Sequence, residues 1–364
     1  MKNYIELLKD IERNGTLKPS RAGNTASVFG RQLRWNMQDG FPLMTLKKVS
    51  FHNIAHELLW FLGAFDEEWK RFGNTNIRYL VDHNVNIWND DAYRGYVQWV
   101  EKEYSHRPME LFSKEDFIEK IKEDEFFAER WGELGDSYGA QWRRWGERGN
   151  EFSGKGYVQG IDQIQQVIDN LKSNPLSRRH IVTAWNPSVV DSLTLPPCHY
   201  GFTLNVQPIS ERERMVLLTE DLQERPREGT RVLEKLDSGE WTLDFLEVEK
   251  YRLSLKWNQR SVDTPLGLPY NIASYGLLLH IIAHFTNMVP NDLVCSLEDV
   301  HYYTNQQKAV DEMISRENDL PPLPTLELID MDDVETIDDI RIGNLKINDY
   351  HPLSSVKAPL SVGL

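Results

Sequence analysis

The chain has 364 residues and a formal net charge of −15 at pH 7. This acidic balance argues against a general binder of nucleic acids or anionic membranes, because both partners attract a basic surface. The two cysteines give no disulfide framework and no zinc-binding spacing, and the start of the chain lacks the apolar core of a signal peptide. We therefore expect a soluble protein of the reducing cytoplasm, with neither membrane nor nucleic acid as a partner.

The first half of the chain alternates periodic apolar segments with polar turns. The clearest helix runs from 51 to 62, where Phe51, Ile54, Leu58 and Leu62 recur at helical spacing. In chain order we predict a helix at 3–13, a strand at 28–37, a helix at 51–62, charge-rich helical segments at 64–73 and 93–133, and a tight aromatic turn at 135–142.

Strands are prominent in the predictions for the second half. We predict a helix at 162–171, strands at 181–185, 200–206 and 251–257, a polar insertion at 208–250, and a buried helix from 272 to about 288. The insertion is inferred because period-two alternation resumes at Tyr251 after a long run of alternating charge. Pro290 is expected to stop the buried helix, since proline lacks the amide donor that a helix needs.

Cys198 follows two prolines and precedes an alternating stretch in which Tyr200, Phe202 and Leu204 fall on one face. Because proline neither continues a helix nor donates to a sheet, Cys198 is expected at the lip of a sheet, where it can face a cavity. A lone intracellular cysteine is more often a small buried hydrophobe than a nucleophile. Taken by itself, this motif leaves both interpretations open.

Glu57 lies on the flank of the apolar stripe at 51–62, close to Trp60 and Phe61. A carboxyl group in that setting is desolvated, so its pKa should rise and it could act as an acid or a base. The alternative is a surface glutamate that leans on aromatic rings.

Two segments with arginines are candidate phosphate sites. Arg21 lies in a polar loop at 20–25 with hydroxyl donors, and the adjacent Arg178 and Arg179 lead into a strand. Each arginine is also compatible with an ordinary solvated charge.

An ordered series of motifs runs through nearly the whole chain. After Arg21 in its loop come QDGFPL at 38–43, HELLWFL at 56–62, NTNI at 74–77, YGAQW at 138–142, SRR at 177–179, PCH at 197–199, QRS at 259–261, NIASY at 271–275, DVHYY at 299–303 and KAP at 357–359. In this series the chain resembles the thymidylate synthase family, whose members methylate dUMP with a reduced folate.

The resemblance implies an α+β fold, with a large mixed β-sheet flanked by helices and dimerisation through a sheet face. It implies a single domain over 1–364, with insertions near 64–72, 93–133 and 208–250. The substrates it implies are dUMP and 5,10-methylenetetrahydrofolate, and it implies no metal.

In the family a thiolate adds to C6 of uracil and makes C5 nucleophilic, and Cys198 matches this cysteine. Arg260 matches an arginine placed against both the cysteine and the nucleotide phosphate, so we expect it to lower the pKa of Cys198. Asn271 favours uracil, because its amide can accept from N3–H and donate to O4. The matched catalytic positions are Cys198, Glu57, Tyr138, Arg260, Asn271, Asp263 and His199.

The other matches are binding positions. Those for the nucleotide are Arg21, Arg178, Arg179, Gln259, Arg260, Ser261, Asn271, His301 and Tyr303. Those for the folate are Ile87, Trp88, Asp263, Leu266, Gly267, Tyr270 and Ala358. The resemblance further implies that Arg178 and Arg179 cross the interface of a homodimer to complete the partner's site.

The chain departs from the family pattern around the folate cleft. Asp91 stands where a second tryptophan usually follows Trp88, Asn89 and Thr203 replace an aspartate and a glutamine, and the tail to Leu364 is slightly longer. A cleft that has lost an aromatic wall would admit water, so a dUMP 5-hydroxymethylase is an alternative to a thymidylate synthase. A non-catalytic nucleotide-binding protein is a further alternative.

Overall fold

A computed structural model describes residues 1–20, 22–103, 111–147, 159–224 and 226–360. In this structure alternating apolar residues form long strands, and amphipathic segments form the helices that cover them. Within these residues the strands are β1 (Thr16–Ser20), β2 (Gly23–Asn36), β3 (Ile181–Thr183), β4 (His199–Pro208), β5 (Tyr251–Asp263), β6 (Val289–Tyr303), β7 (Thr325–Leu328) and β8 (Leu345–Asn348). The helices are α1 (Lys2–Asn14), α2 (Phe51–Leu62), α3 (Glu67–Lys70), α4 (Arg78–Asp82), α5 (Asn89–Glu103), α6 (Lys114–Glu123), α7 (Glu125–Trp131), α8 (Tyr138–Arg144), α9 (Gln163–Ser173), α10 (Glu211–Glu224), α11 (Pro226–Asp237), α12 (Gly267–Phe285) and α13 (Gln307–Ser315).

In the described part of the chain, six strands form one sheet in the order β1-β2-β6-β5-β4-β3. β5 and β6 pair in parallel, and the other neighbours pair antiparallel. The sheet is therefore mixed and flanked by helices, which confirms the predicted α+β class. A smaller antiparallel sheet joins β7 to β8.

The parallel pair is connected by α12, because parallel strands require a crossover. This helix is apolar on nearly all sides and is buried between the large sheet and α2. The rings of Trp257 on β5 and Tyr275 on α12 stack with their centroids 5.0 Å apart. The crossover thus brings the end of β5 and the start of α12 to one edge of the sheet.

The sequence interpretation missed β6 and misplaced the end of the helix before it. α12 ends at Phe285, and Pro290 lies inside β6 instead of stopping a helix. Pro290 pairs with Leu253 next to a register shift between β5 and β6. A missing ladder donor is tolerated at such an irregular position.

One further prediction needs correction, and one is confirmed. The turn predicted at 135–142 is helical in its second half, because α8 begins at Tyr138. The polar insertion predicted at 208–250 contains α10 and α11, which pack around a small apolar cluster of their own. The helical element predicted at 93–133 is present as α5, α6 and α7, with positions 104–110 outside the described residues. Among the described residues we find no helix with the length and apolarity that a membrane crossing requires.

Candidate active site

Cys198 lies immediately before β4, at the end of the large sheet where β5 finishes. Its backbone N–H donates to the Tyr138 hydroxyl at 2.6 Å, and its carbonyl accepts from the backbone N–H of Arg260 at 2.8 Å. The residue is half-buried. The two prolines thus lead the chain to the position that the sequence predicts, where the thiol faces side chains from other elements.

Arg260 places a cation against this thiol. Its Nε and Nη2 donate to the carbonyls of Pro197 and Pro196 at 2.9 and 2.7 Å, and Nη2 lies 3.8 Å from Cys198 Sγ. The guanidinium also lies over the Trp185 ring, 5.9 Å from its centroid. Three backbone and thiol contacts therefore hold Arg260 in one orientation, with its charge directed at the sulfur.

The pKa of Cys198 does not follow the simple expectation. Burial raises it, Arg260 lowers it and the nearby charge of Asp91 raises it, and the net shift is upward. The prediction of a lowered pKa is therefore wrong for the free protein, although Arg260 acts in the predicted direction. Desolvation of a thiolate costs more here than one cation offsets.

Glu57 is held inside the protein by α2. Ser50 caps the start of this helix, where its side chain accepts from the Asn53 N–H, and Gly63 caps the end in the left-handed conformation. Glu57 is 6% exposed, and its Oε1 accepts from the Trp88 indole N–H at 2.8 Å. Burial raises the pKa of Glu57 to about 7, so the group can give or take a proton near neutral pH.

Aromatic rings and a neutral histidine close the space between Glu57 and Cys198. The Tyr138 ring lies 4.3 Å from the His199 ring and 4.9 Å from the Phe61 ring, measured between centroids. His199 Nδ1 lies 2.8 Å from the Tyr275 hydroxyl, and burial lowers the pKa of His199 to about 3. An imidazole that stays neutral is suited to orienting its neighbours rather than to donating a proton.

A chain of hydrogen bonds sets the orientation of the Asn271 amide. The Trp257 indole N–H donates to Gln259 Oε1 at 3.1 Å, and Gln259 Nε2 donates to Asn271 Oδ1 at 3.0 Å. Because an indole can only donate, both amides are oriented in one direction. Asn271 can therefore donate to a ligand carbonyl through its NH2 group and accept from an adjacent N–H through the second lone pair of Oδ1.

Ser261, His301 and Tyr303 come together at the carboxyl ends of β5 and β6. Ser261 pairs with Asp299 across the parallel ladder, and the rings of His301 and Tyr303 meet edge to face at 5.4 Å. His301 Nδ1 lies 3.0 Å from Asp299 Oδ1, which also accepts from the Ser27 hydroxyl at 2.8 Å. These polar groups share one edge with Arg260 and Asn271.

The thymidylate synthase family model matches residues 2–362 of this chain. The chain belongs to the thymidylate synthase family. Two similar proteins are the thymidylate synthases of Listeria monocytogenes serovar 1/2a (strain ATCC BAA-679 / EGD-e) and of Listeria innocua serovar 6a (strain ATCC BAA-680 / CLIP 11262). Each is 35% identical to this chain over 377 aligned residues, which cover 100% of both proteins.

The residues predicted to bind folate by resemblance to the thymidylate synthase family lie at three places: just before α5, around the start of α12, and in the tail. Asp263 accepts from the Leu266 N–H at 3.1 Å and from Gln306 Nε2 at 2.9 Å. The same Gln306 nitrogen donates to the Pro359 carbonyl at 3.0 Å, which ties the tail to Asp263. Of the other predicted residues, Gly267 begins α12, Trp88 is buried, Tyr270 is half-buried, Ile87 is 43% exposed and Ala358 packs against the main core.

Sequence reasoning missed Gln306 and Lys47. Lys47 is 5% exposed, and its ammonium group donates to the Pro265 carbonyl at 2.5 Å, close enough to Asp263 for the charges to interact. Burial lowers the pKa of Lys47 to about 8. In the sequence Lys47 is one of two adjacent lysines, a pattern that gives no sign of burial, whereas Gln306 follows the DVHYY motif closely enough to have been considered.

The structure does not bring Arg178 and Arg179 to the Cys198 site of their own chain. Both are exposed in the segment before β3, where the His180 carbonyl accepts from the Leu204 N–H in the middle of β4. Cys198 lies at the beginning of β4. Arg21 and Leu364 lie outside the described residues.

Proposed function

We propose that this protein is a thymidylate synthase that methylates dUMP at C5 to give dTMP, with 5,10-methylenetetrahydrofolate as cosubstrate. The observation that carries the proposal is the pairing of Cys198 with Arg260 beside a buried Glu57 whose pKa is about 7. Membership of the family and full-length similarity to proteins named thymidylate synthase support it.

In this proposal Cys198 loses its proton and its sulfur bonds to C6 of the uracil. The electron pair of the C5–C6 double bond moves towards O4, where the Asn271 NH2 group donates a hydrogen bond. C5 then takes the one-carbon unit and loses its proton, and Glu57 is placed to relay that proton through water. The folate supplies the one-carbon unit and the hydride, leaving as dihydrofolate, and the sulfur–C6 bond breaks to release dTMP.

The predicted folate residues suit a reduced pterin. Asp263 offers carboxylate oxygens to ring N–H groups, and the half-buried Tyr270 offers aromatic surface. The tie between Gln306 and Pro359 holds the tail near Asp263, which is where a lid that excludes water would have to close.

A homodimer is part of the same proposal. Side chains of Arg34, Thr203 and Lys256 line a depression of about 310 Å³, on the sheet face that alternation turns away from α12. We infer that this face meets a second copy, so that Arg178 and Arg179 serve the phosphate of the partner's site.

Mixing inactive Cys198→Ser with an inactive variant lacking both arginines should restore activity in the mixed dimer. An inactive mixture, with subunit exchange verified by mass, would overturn the shared site.

One observation favours a second candidate function, the hydroxymethylation of dUMP. Asp91 and Arg94 form an ion pair at the wall where the family usually has a tryptophan. When the folate leaves C5, the one-carbon unit remains there as a methylene group. Polar groups at this wall would keep water beside that methylene, so water rather than hydride would add to it and give the hydroxymethyl product.

The product decides between these functions. Purified protein would be incubated with dUMP and 5,10-methylenetetrahydrofolate, nucleotides would be identified by mass spectrometry, and dihydrofolate absorbance would be followed. We expect dTMP with an equal amount of dihydrofolate. The product 5-hydroxymethyl-dUMP with tetrahydrofolate would establish the second candidate. If neither product exceeded that of a Cys198→Ser control, both enzymatic functions would fail and a nucleotide-binding protein would be favoured.

A further inference from the structure

Asp91 lies in the first turn of α5, close enough to Cys198 for the two charges to interact. It follows Trp88 by about one helical turn, and the Trp88 indole donates to Glu57. The Asp91 side chain is 15% exposed, and its Oδ1 lies 3.3 Å from Arg94 Nη1. The carboxylate is therefore largely removed from water and only loosely paired.

The helix that carries Asp91 packs against the segment leading to Cys198. A methyl group at Gly95 would come within 3.1 Å of Thr194 Oγ1, so α5 and this segment are in close contact. Asp91, Gly95 and Thr194 line one cavity of about 310 Å³, together with the buried ring of Tyr96. The packing thus places the Asp91 carboxylate on the side of α5 that faces the nucleophile's segment.

Two opposite charges act on the thiol. Burial raises the pKa of Cys198, and on top of this effect Arg260 lowers the pKa and Asp91 raises it. Burial likewise raises the pKa of Asp91, and Arg94 lowers it. The titratable or charged groups around the pair are Arg94 and Asp90 on α5, Arg130 and Glu133 across the cavity, Arg260 on β5 and Tyr138 on α8.

We propose that Asp91 is a positioning residue that opposes Arg260 at Cys198 and so limits the thiolate fraction of the free protein. Its carboxylate acts through the thiol and touches no substrate in this role. The inference rests on the proposed function only in taking Cys198 as the reacting nucleophile. The charge of one residue in α5 then adds to burial in raising the pH at which this nucleophile becomes reactive.

The test measures the rate of Cys198 alkylation by iodoacetamide as a function of pH, without nucleotide or folate, with mass spectrometry of the modified peptide. Asp91→Asn should lower the midpoint of the profile by roughly 0.5–1 pH unit, which corresponds to an alkylation rate about three- to tenfold higher below the midpoint. The matched control is Asp90→Asn, in the same helical turn, because Asp90 pairs with Lys114 at 2.8 Å. The conservative variant Asp91→Glu should keep the wild-type midpoint.

Two results would overturn the proposal: an unchanged midpoint in a folded Asp91→Asn protein, or an equal shift in Asp90→Asn. Circular dichroism verifies folding, and Asp91→Ser provides the same comparison if the asparagine variant does not fold. The outcome is independent of the product assay. A protein that makes no dTMP would overturn the proposed function while leaving the alkylation midpoints to decide the role of Asp91.

Discussion

The Cys198 end of the large sheet and the α10–α11 insertion hold their polar side chains in different ways. At the Cys198 end, Glu57 is 6% exposed with Trp88 as donor, and Arg260 is held by two backbone carbonyls. In the insertion, charges such as Lys235 and Glu240 pair at the surface. The apolar residues of the insertion form a cluster separate from the main core: Leu218, Leu222, Leu243 and Val248.

This difference indicates which region is suited to catalysis. A desolvated carboxyl or thiol has a shifted pKa, whereas an exposed ion pair contributes little to either stability or reactivity. The insertion also starts and ends at adjacent points, since Pro208 pairs with Tyr251 across β4 and β5. We therefore expect the Cys198 end to be sensitive to single-atom changes and the insertion to be dispensable for activity.

The largest effect should come from Cys198→Ser. The hydroxyl is a far weaker nucleophile, so kcat for dTMP formation should fall by about 10³-fold or more. Binding of dUMP, measured by calorimetry, should stay within about threefold of wild type because the phosphate and uracil contacts remain. A variant that kept about a tenth of the activity would contradict covalent attack by this residue.

Glu57→Gln removes a group whose pKa is about 7 and keeps its shape. We expect kcat to fall by roughly 10²-fold, with loss of the limb of the pH–rate profile near neutrality. The matched control is Glu220→Gln on α10, where the glutamate is exposed. If Glu57→Gln and Glu220→Gln had equal kcat values, the expected difference in sensitivity between the Cys198 end and the insertion would be wrong.

The same pair of variants tests stability. Burial raises the folded pKa of Glu57 from 4.5 to about 7. Glu57 therefore contributes stability fully below pH 4.5, and this contribution is lost as the pH rises through about 7. From about pH 4 to about pH 8, the unfolding free energy of wild type should therefore fall relative to that of Glu57→Gln. The difference between the two proteins should change by roughly 2–3 kcal/mol in favour of the variant. Urea titrations at both pH values measure this difference, which should stay near zero for Glu220→Gln.

The smallest effect on activity should follow removal of the insertion. Replacing 210–249 with a turn of about four residues would rejoin β4 and β5 as an ordinary hairpin. We expect kcat and KM within about threefold of wild type, because the deleted residues include none of the site. A folded protein without activity would indicate that the insertion supports the site or the dimer, and the mass of the particle in solution would distinguish these two causes.

Sequence patterns predicted the elements in which one face is buried. The stripe from Phe51 to Leu62 predicted α2, and alternation predicted β4 and β5. β6 was not predicted from the sequence. It starts beside Pro290 and mixes acidic, amide and apolar residues, so its sequence does not alternate regularly between apolar and polar positions. It becomes a strand because two neighbours, β2 and β5, supply its hydrogen-bond partners.

The sequence by itself determined the family, the α+β class and the residue types available for chemistry, since ordered motifs and local periodicity are properties of the chain. Only the tertiary structure decided that Glu57 is buried against Trp88, that Lys47 lies beside Asp263, and that the pKa of Cys198 is raised. The physical reason is that desolvation and charge–charge interaction depend on distance through space. Lys47 and Asp263, like Asp91 and Cys198, lie far apart along the chain and act on each other only after folding.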